Sequence, residues 1–207
     1  MMRPGERLSR RRGRRSAPPV VIQLDVPSNG VVTVYNYYDR VATRVGGELK
    51  IKLPKAVNMV ELVARSQILA ELRSLDAGKA DINLADMHYA ILDHDCWVDL
   101  QLWTKRFLAD IGYVYVGDRR DCNAFARAMR MAFDLLGEVA FAGSPTVGGI
   151  YAHMDEPFAG ITDGFHALNL SRTNKGGFVS EPQGINLIYQ RAEIWAMTRR
   201  ITSISSD

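Results

Sequence analysis

Alternating hydrophobic and polar residues mark the first strands of the chain. Residues 48–53, Glu-Leu-Lys-Ile-Lys-Leu, alternate strictly, which is typical of a half-buried strand. The Gly46-Gly47 pair before them predicts a two-residue turn and therefore a β-hairpin. Residues 20–26 and 31–38 are rich in β-branched and aromatic side chains, so we expect them to be extended as well.

A helical period replaces this alternation after Pro54. Apolar residues recur at spacings of three and four between residues 60 and 75, which predicts a first helix. A second helix is expected over residues 95–109. A third begins at Cys122, where apolar residues repeat with the same helical period, and Gly137 is expected to end it.

Extended segments return near the end of the sequence. Residues 165–170 and 178–182 flank the turn-forming residues 173–177, Thr-Asn-Lys-Gly-Gly, and this predicts a second β-hairpin. The order of strands, then helices, then strands indicates an α+β fold.

Positive charge is concentrated at the start of the chain. Residues 1–15 hold seven arginines and one glutamate, a side-chain charge of +6, although the whole chain has only +3. Such an arm could contact polyanions without sequence preference through residues 3–15. A solvated arm with no specific partner is the other interpretation. The densest part of the arm consists of Arg10, Arg11, Arg12, Arg14 and Arg15.

The remaining composition is that of an ordinary globular protein. No apolar run approaches the roughly 18 residues that a membrane span requires, and we expect no signal peptide. Two cysteines do not make a disulfide framework. We therefore expect free thiols and a cytoplasmic location.

Cys122 is the candidate nucleophile. It stands at the predicted start of the third helix, and Asp121 before it is the predicted N-cap. The first turn of a helix favours the thiolate, which is the reactive form of cysteine. The alternative is a cysteine packed as a small hydrophobic residue.

His166 and Glu181 are placed to complete a catalytic triad with Cys122. They lie on the two strands of the second predicted hairpin, fifteen residues apart, and an odd separation suits a two-residue turn. The side chains then share a face of the hairpin within reach of each other. The imidazole would transfer the thiol proton and the carboxylate would orient the imidazole. This triad predicts cleavage of an amide bond in a protein or peptide substrate through an acyl-enzyme.

Three amides are further candidates near this chemistry. Asn169 and Gln183 could orient the imidazole in place of Glu181, but Asn169 lies three residues from His166 and faces the other way in a regular strand. Gln101 is the nearest glutamine before the nucleophile and is a candidate oxyanion donor.

His94 and Cys96 form the other group of reactive side chains. With a neighbouring acid they could be read as part of a zinc site, but no second Cys/His pair completes four ligands. Cys96 is also the alternative nucleophile.

Three short motifs carry a family resemblance. Residues 121–126 (Asp-Cys-Asn-Ala-Phe-Ala), 165–169 (Phe-His-Ala-Leu-Asn) and 181–183 (Glu-Pro-Gln) resemble the papain-like catalytic domain of Marasmius oreades-type fungal agglutinins and their bacterial relatives. The resemblance covers about half of the chain. It implies a thiol peptidase in which a central helix bearing Cys122 packs on an antiparallel sheet bearing His166 and Glu181.

On this basis we divide the chain into three parts. Residues 1–19 are expected to be a disordered basic arm, residues 20–80 an N-terminal β-hairpin and helix segment, and residues 81–207 the papain-like catalytic domain. No β-trefoil lectin precedes this domain in the sequence, so we do not expect sugar binding from the resemblance.

The resemblance also raises calcium as a ligand. The family is associated with calcium, and carboxylate oxygens of Asp118, Asp121 and Asp163 could supply ligands, although no loop has a recognisable calcium spacing. The triad chemistry itself requires no cofactor. A function of another class is a non-catalytic nucleic-acid-binding or virion-type structural protein that uses the arginine arm.

Overall fold

The computed structural model describes residues 30–54, 59–75, 80–114, 116, 121–140, 148–154, 157–161, 164–197 and 199–205. The predicted basic arm, Asp118 and Asp163 lie outside these residues. The named elements are, in chain order, β1 (Val32–Val34), β2 (Ala42–Val45), β3 (Glu48–Ile51), β4 (Met59–Ala64), α1 (Arg65–Leu75), β5 (Asp81–Asn83), β6 (His88–Leu92), α2 (His94–Asp110), α3 (Cys122–Ala140), β7 (Gly148–His153), β8 (Phe165–Thr173), β9 (Gly176–Ser180), β10 (Leu187–Arg191), α4 (Ala192–Ala196) and β11 (Arg200–Ser205).

Nine of the strands form one sheet. Its main path runs β1-β10-β9-β8-β7-β11-β5, and β6 joins it beside β8 and carries β4 on its other side. The β11–β5 and β6–β8 pairs are parallel and the other pairs are antiparallel. The β2–β3 hairpin forms a separate two-stranded sheet.

The predicted α+β, papain-like fold class is wrong. We expected a helix-on-sheet catalytic domain preceded by a separate β-hairpin and helix segment. Instead, β1 and β4 from the first part of the chain pair with β10 and β6, so one large sheet dominates the described residues. Strand pairing between residues 32 and 189 brings together positions that no local sequence pattern connects.

Both faces of the sheet are covered. One face packs against α1 and α4 through a core that includes Ile68 and Trp195. The other face packs against α2 and α3 through a second core that includes Trp97 and Met129. Because side chains alternate between the faces of a strand, neighbouring residues of β6 and β9 belong to different cores.

The local predictions differ in outcome. Both hairpins are confirmed: Val45 pairs with Glu48 and Thr173 pairs with Gly176, which leaves two residues in each turn. The second helix is also confirmed, as α2. The first predicted helix is wrong at its start, because residues 59–64 pair with β6 as β4. Gly137 does not end α3, which continues to Ala140.

None of the helices in the described ranges is long and apolar enough to cross a membrane.

A buried histidine is part of the α2 core. His94 packs between the rings of Trp97, Phe178 and Tyr189, with centroid distances of 5.4, 4.6 and 5.7 Å. Burial and, next, the positive charge of Lys175 lower the pKa of His94 to about 4, while nearby aspartates oppose the shift. The ring is therefore neutral in the folded protein at neutral pH.

The low pKa of His94 predicts acid sensitivity. The unfolded chain binds a proton at His94 below about pH 6.5, whereas the folded chain binds it only near pH 4. The free energy of unfolding is therefore unaffected by His94 above pH 6.5, and it decreases as the pH falls from 6.5 towards 4. We expect a loss of about 1–2 kcal/mol, discounted for solvent screening. Urea unfolding at pH 7 and pH 4.5 checks this. The His94→Phe variant should lose less stability between the two pH values, and an equal loss would contradict the assignment.

Candidate active site

His166 and Glu181 form a buried hydrogen-bonded pair. The distance between Nε2 of His166 and Oε2 of Glu181 is 2.7 Å, and both side chains are almost fully buried. The other carboxylate oxygen, Oε1, accepts the backbone N–H of Gln183 at 2.8 Å. Both oxygens of Glu181 are therefore engaged, which compensates for removing the carboxylate from water.

The register of the β8–β9 hairpin explains this contact. Asn169 pairs with Ser180, so the same register continued would set His166 opposite Gln183. Glu181 is then one diagonal position from His166, and diagonal neighbours on one face are within reach of long side chains. The contact agrees with the odd separation of fifteen residues in the sequence.

Cys122 is the first residue of α3. The side chain of Asp121 caps this helix, because its Oδ1 accepts the backbone N–H of Ala124 at 3.0 Å. The Asp121 carbonyl also accepts the N–H of Phe125 at 3.1 Å. The thiol of Cys122 is free and half-buried, and it lies where the N-terminal N–H groups of a helix concentrate positive charge.

A cavity of about 350 Å³ connects the helix of Cys122 with the segment after Glu181. Phe125, in the first turn of α3, lines one wall, and Pro182 and Gln183 line another. Further lining residues are Lys105, Leu108 and Tyr113. The start of α3 therefore lies at the end of the hairpin where His166 and Glu181 meet.

The structure does not join Cys122 to His166 by a hydrogen bond, within the residues that it describes. A hydrogen bond from Nδ2 of Asn169 to the carbonyl of Ala126, at 3.0 Å, connects the strand of His166 to the helix of Cys122. Cys122 is one helical turn, about 6 Å, before Ala126, and His166 is about 10 Å along the strand before Asn169. Catalytic hydrogen bonds are often long without substrate and shorten when it binds.

Lys105 is a buried residue of this region that the sequence analysis missed. Its Nζ donates to the carbonyls of Glu181 at 2.7 Å, Gln183 at 2.9 Å and Gly184 at 3.4 Å. Burial lowers the pKa of Lys105 to about 7, and the charge of Glu181 opposes this shift. The available signal was its position on α2, two turns after the buried Trp97 and therefore on the inner face of the helix.

The structure gives the other candidate residues different surroundings. Gln101 is buried on α2, one turn before Lys105. Asn169 is buried, and its Nδ2 donates to the carbonyl of Ala126, which holds β8 to α3. Gln183 lines the cavity beside Glu181. Asp121 serves as a helix cap, and no cluster of three or more metal-binding side chains occurs among the residues described.

Cys96 offers an internal comparison for Cys122. It also lies in the first turn of a helix, and its backbone N–H donates to the capping oxygen of Asp93 at 3.3 Å. It is also free and half-buried. The two cysteines differ in their position relative to the cavity, because Phe125 in the first turn of the Cys122 helix lines it and no residue in the first turn of α2 does.

Comparison with solved structures identifies similar folds. One is a Polyporus squamosus lectin bound to a human-type influenza-binding epitope, with a TM-score of 0.50, 16% identity and coverage of 84% of this chain. Another is described as a PSL1a–E64 complex, with a TM-score of 0.51, 18% identity and coverage of 70% of this chain. This chain covers 60% and 51% of the respective structures, so it spans little more than half of their length. No protein-family model and no curated protein matches the sequence.

These comparisons correct the family assignment made from the three short motifs. The resemblance to the papain-like catalytic domain of fungal agglutinins is wrong, because the similar structures include a lectin and neither is described as a papain-like peptidase. Motifs of three to six residues are too short to identify a family across half of a chain. At these identities the likeness shows the fold alone.

Proposed function

We propose that the chain is a thiol-dependent hydrolase that cleaves amide bonds in a protein or peptide substrate through an acyl-enzyme at Cys122. The observation that supports this most is the buried His166–Glu181 pair at 2.7 Å. Glu181 engages Nε2 of the imidazole, which leaves Nδ1 for the proton of a thiol. A carboxylate held in this way fixes the ring and stabilises its protonated form.

The proposed reaction has two stages. The thiol of Cys122 gives its proton to His166, and the sulfur attacks the substrate carbonyl carbon. The C–N bond breaks, the proton passes from His166 to the leaving amine, and a thioester remains on Cys122. Water then cleaves the thioester, releases the acid and restores the thiol. An amine in place of water would give acyl transfer by the same chemistry.

The setting of the site agrees with this chemistry. Free Cys96 and Cys122 suit a reducing compartment such as the cytoplasm. The triad uses only side chains, so the proposal includes no cofactor. Calcium is not part of the proposal: Asp121 is engaged as a helix cap, and Asp118 and Asp163 lie outside the described residues.

Selective alkylation tests the proposed nucleophile. We expect iodoacetamide at pH 7 to label Cys122 at least tenfold faster than Cys96, because the proposed triad gives Cys122 an imidazole that accepts its proton. Peptide mapping by mass spectrometry measures the two rates in one sample. Cys96 controls for the helix N-terminus and for exposure. E64, which is bound in one similar structure, is a second probe and should add its mass to Cys122.

The opposite labelling pattern would overturn the proposal. Equal rates at both cysteines, or faster labelling of Cys96, would show that Cys122 gains nothing from His166 and Glu181. The charge of +6 in residues 1–15 supports a second candidate, a nucleic-acid-binding protein. Salt-dependent DNA binding that is lost on deleting residues 1–15, without selective labelling of Cys122, would favour that candidate.

A further inference from the structure

The cavity beside the candidate triad has a buried floor and an open rim. Lys105, Leu108 and Phe125 form its floor and are nearly inaccessible to solvent. Val114 and Ile185 line its rim and are 56% and 38% exposed. A ligand group can therefore enter from solvent past the rim and lose most of its contact with water.

The lining of the cavity favours an uncharged, apolar group. Most of its residues are aliphatic or aromatic, and no carboxylate side chain is among the lining residues in the described part of the chain. The single charged side chain, Lys105, directs its ammonium to three backbone carbonyls. A cationic guest would find no partner here and would be repelled by Lys105.

The cavity is large enough for any apolar side chain. Its volume of about 350 Å³ is at the small end of the range of about 300–1,000 Å³ that is usual for ligand sites. A side chain the size of leucine or phenylalanine would therefore enter it without displacing the lining residues.

The position of the cavity connects it to Cys122. Phe125 follows Cys122 by three residues, and side chains at this spacing are neighbours on a helix surface, about 5–6 Å apart. Gln183, on the other wall, follows Glu181 by two residues and donates its N–H to that carboxylate. A group held in the cavity would therefore contact Phe125 and Gln183, which are close neighbours of Cys122 and Glu181.

We propose that this cavity is the specificity subsite of the enzyme and binds an apolar side chain of the substrate next to the bond that Cys122 attacks. The inference rests on the proposed function of Cys122. It predicts that the protein prefers peptides with a leucine- or phenylalanine-sized residue at that position and discriminates against lysine and arginine there.

Matched alkylating reagents test the subsite without a known substrate. Iodoacetamide and N-benzyl iodoacetamide carry the same reactive carbon, and only the second has a group that can enter the cavity. We expect N-benzyl iodoacetamide to label Cys122 about tenfold faster than iodoacetamide, since burial of an apolar group changes rates by this order. Cys96 should show no such preference.

A cavity-filling variant sharpens the test. Ala109 is exposed at the end of α2 and lines the cavity, so the larger side chain of Ala109→Leu would fill part of the cavity without changing the buried core. We expect this change to lower the benzyl preference at Cys122 about tenfold. The matched control is Ala70→Leu, at an exposed position of α1 that does not line the cavity, and it should keep the preference.

The outcomes separate the subsite from the triad. If iodoacetamide selects Cys122 over Cys96 but the benzyl reagent has no advantage, the subsite is wrong and the proposed nucleophile stands. A benzyl preference that survives Ala109→Leu would also overturn the subsite. If neither reagent selects Cys122, both the triad and the subsite are overturned.

Discussion

Replacing His166 by alanine should lower the rate of amide hydrolysis by about 10²–10⁴-fold, the usual contribution of a general acid–base group. The same change should slow the alkylation of Cys122 to the rate of Cys96. The reason is that His166 is the base proposed to take the thiol proton, and Glu181 holds it in a fixed orientation at 2.7 Å. The alkylation rate requires no knowledge of the substrate, so it is the first measurement to make.

His153→Ala is the matched control for this prediction. His153 lies on β7, beside β8, and pairs with Phe165, the residue before His166. It has no role in the proposed triad, so its removal should leave the labelling of Cys122 within about twofold of the unchanged protein. Rapid, Cys122-selective labelling in the His166→Ala variant would show that another group activates the thiol.

Replacing Lys105 by methionine should destabilise the protein by about 3 kcal/mol. Methionine has a similar length but no donor, so the carbonyls of Glu181, Gln183 and Gly184 would lose a shared buried partner. Each unsatisfied buried acceptor costs about 1–3 kcal/mol, and water entering through the cavity recovers part of this cost. Urea unfolding at pH 6, below the pKa of about 7, measures the change with Lys105 mostly charged.

The same variant should weaken the candidate site before it unfolds. Lys105 holds the backbone carbonyls of the segment that begins at Glu181. Without Lys105 the side chain of Glu181 should lose its fixed position, and the alkylation of Cys122 should slow under folding conditions.

The control is Lys175→Met. Lys175 pairs with Asp95 at 3.1 Å, but the two side chains are 57% and 73% exposed. An exposed ion pair contributes little, so we expect a change below about 1 kcal/mol. Equal unfolding midpoints for the two lysine variants would contradict the role of Lys105.

Local signals account for the elements that were predicted correctly. Gly46-Gly47 and Asn174-Lys175 form the two hairpin turns because short turns depend on a few adjacent residues. Asp121 caps α3 through its own side chain, again within one turn. The contact of His166 with Glu181 follows from these turns, since the hairpin register is set by its loop. The catalytic use of that contact stays a prediction.

Competition between local and distant pairing explains the errors. Residues 59–64 have apolar positions that fit a helix, but they pair with β6, and only Val63 is buried on the sheet. Gly137 was expected to end α3, yet a single glycine costs only about 1 kcal/mol in a helix, and α3 continues past it to Ala140. The predicted fold class and the family assignment were wrong for a related reason. Neither a short motif nor a helical period predicts the order of strands in a sheet.

The sequence by itself determined the two hairpins, the helix that begins at the Asp121 cap, and the pairing of His166 with Glu181, since each depends on residues close together along the chain. Only the tertiary structure decided that β1 and β4 join one nine-stranded sheet. It also decided that Lys105 reaches three carbonyls 76 to 79 residues away, and that a cavity opens between α2, α3 and the segment after Glu181. These features depend on the packing of distant elements, in which burial and the satisfaction of buried polar groups outweigh local preference.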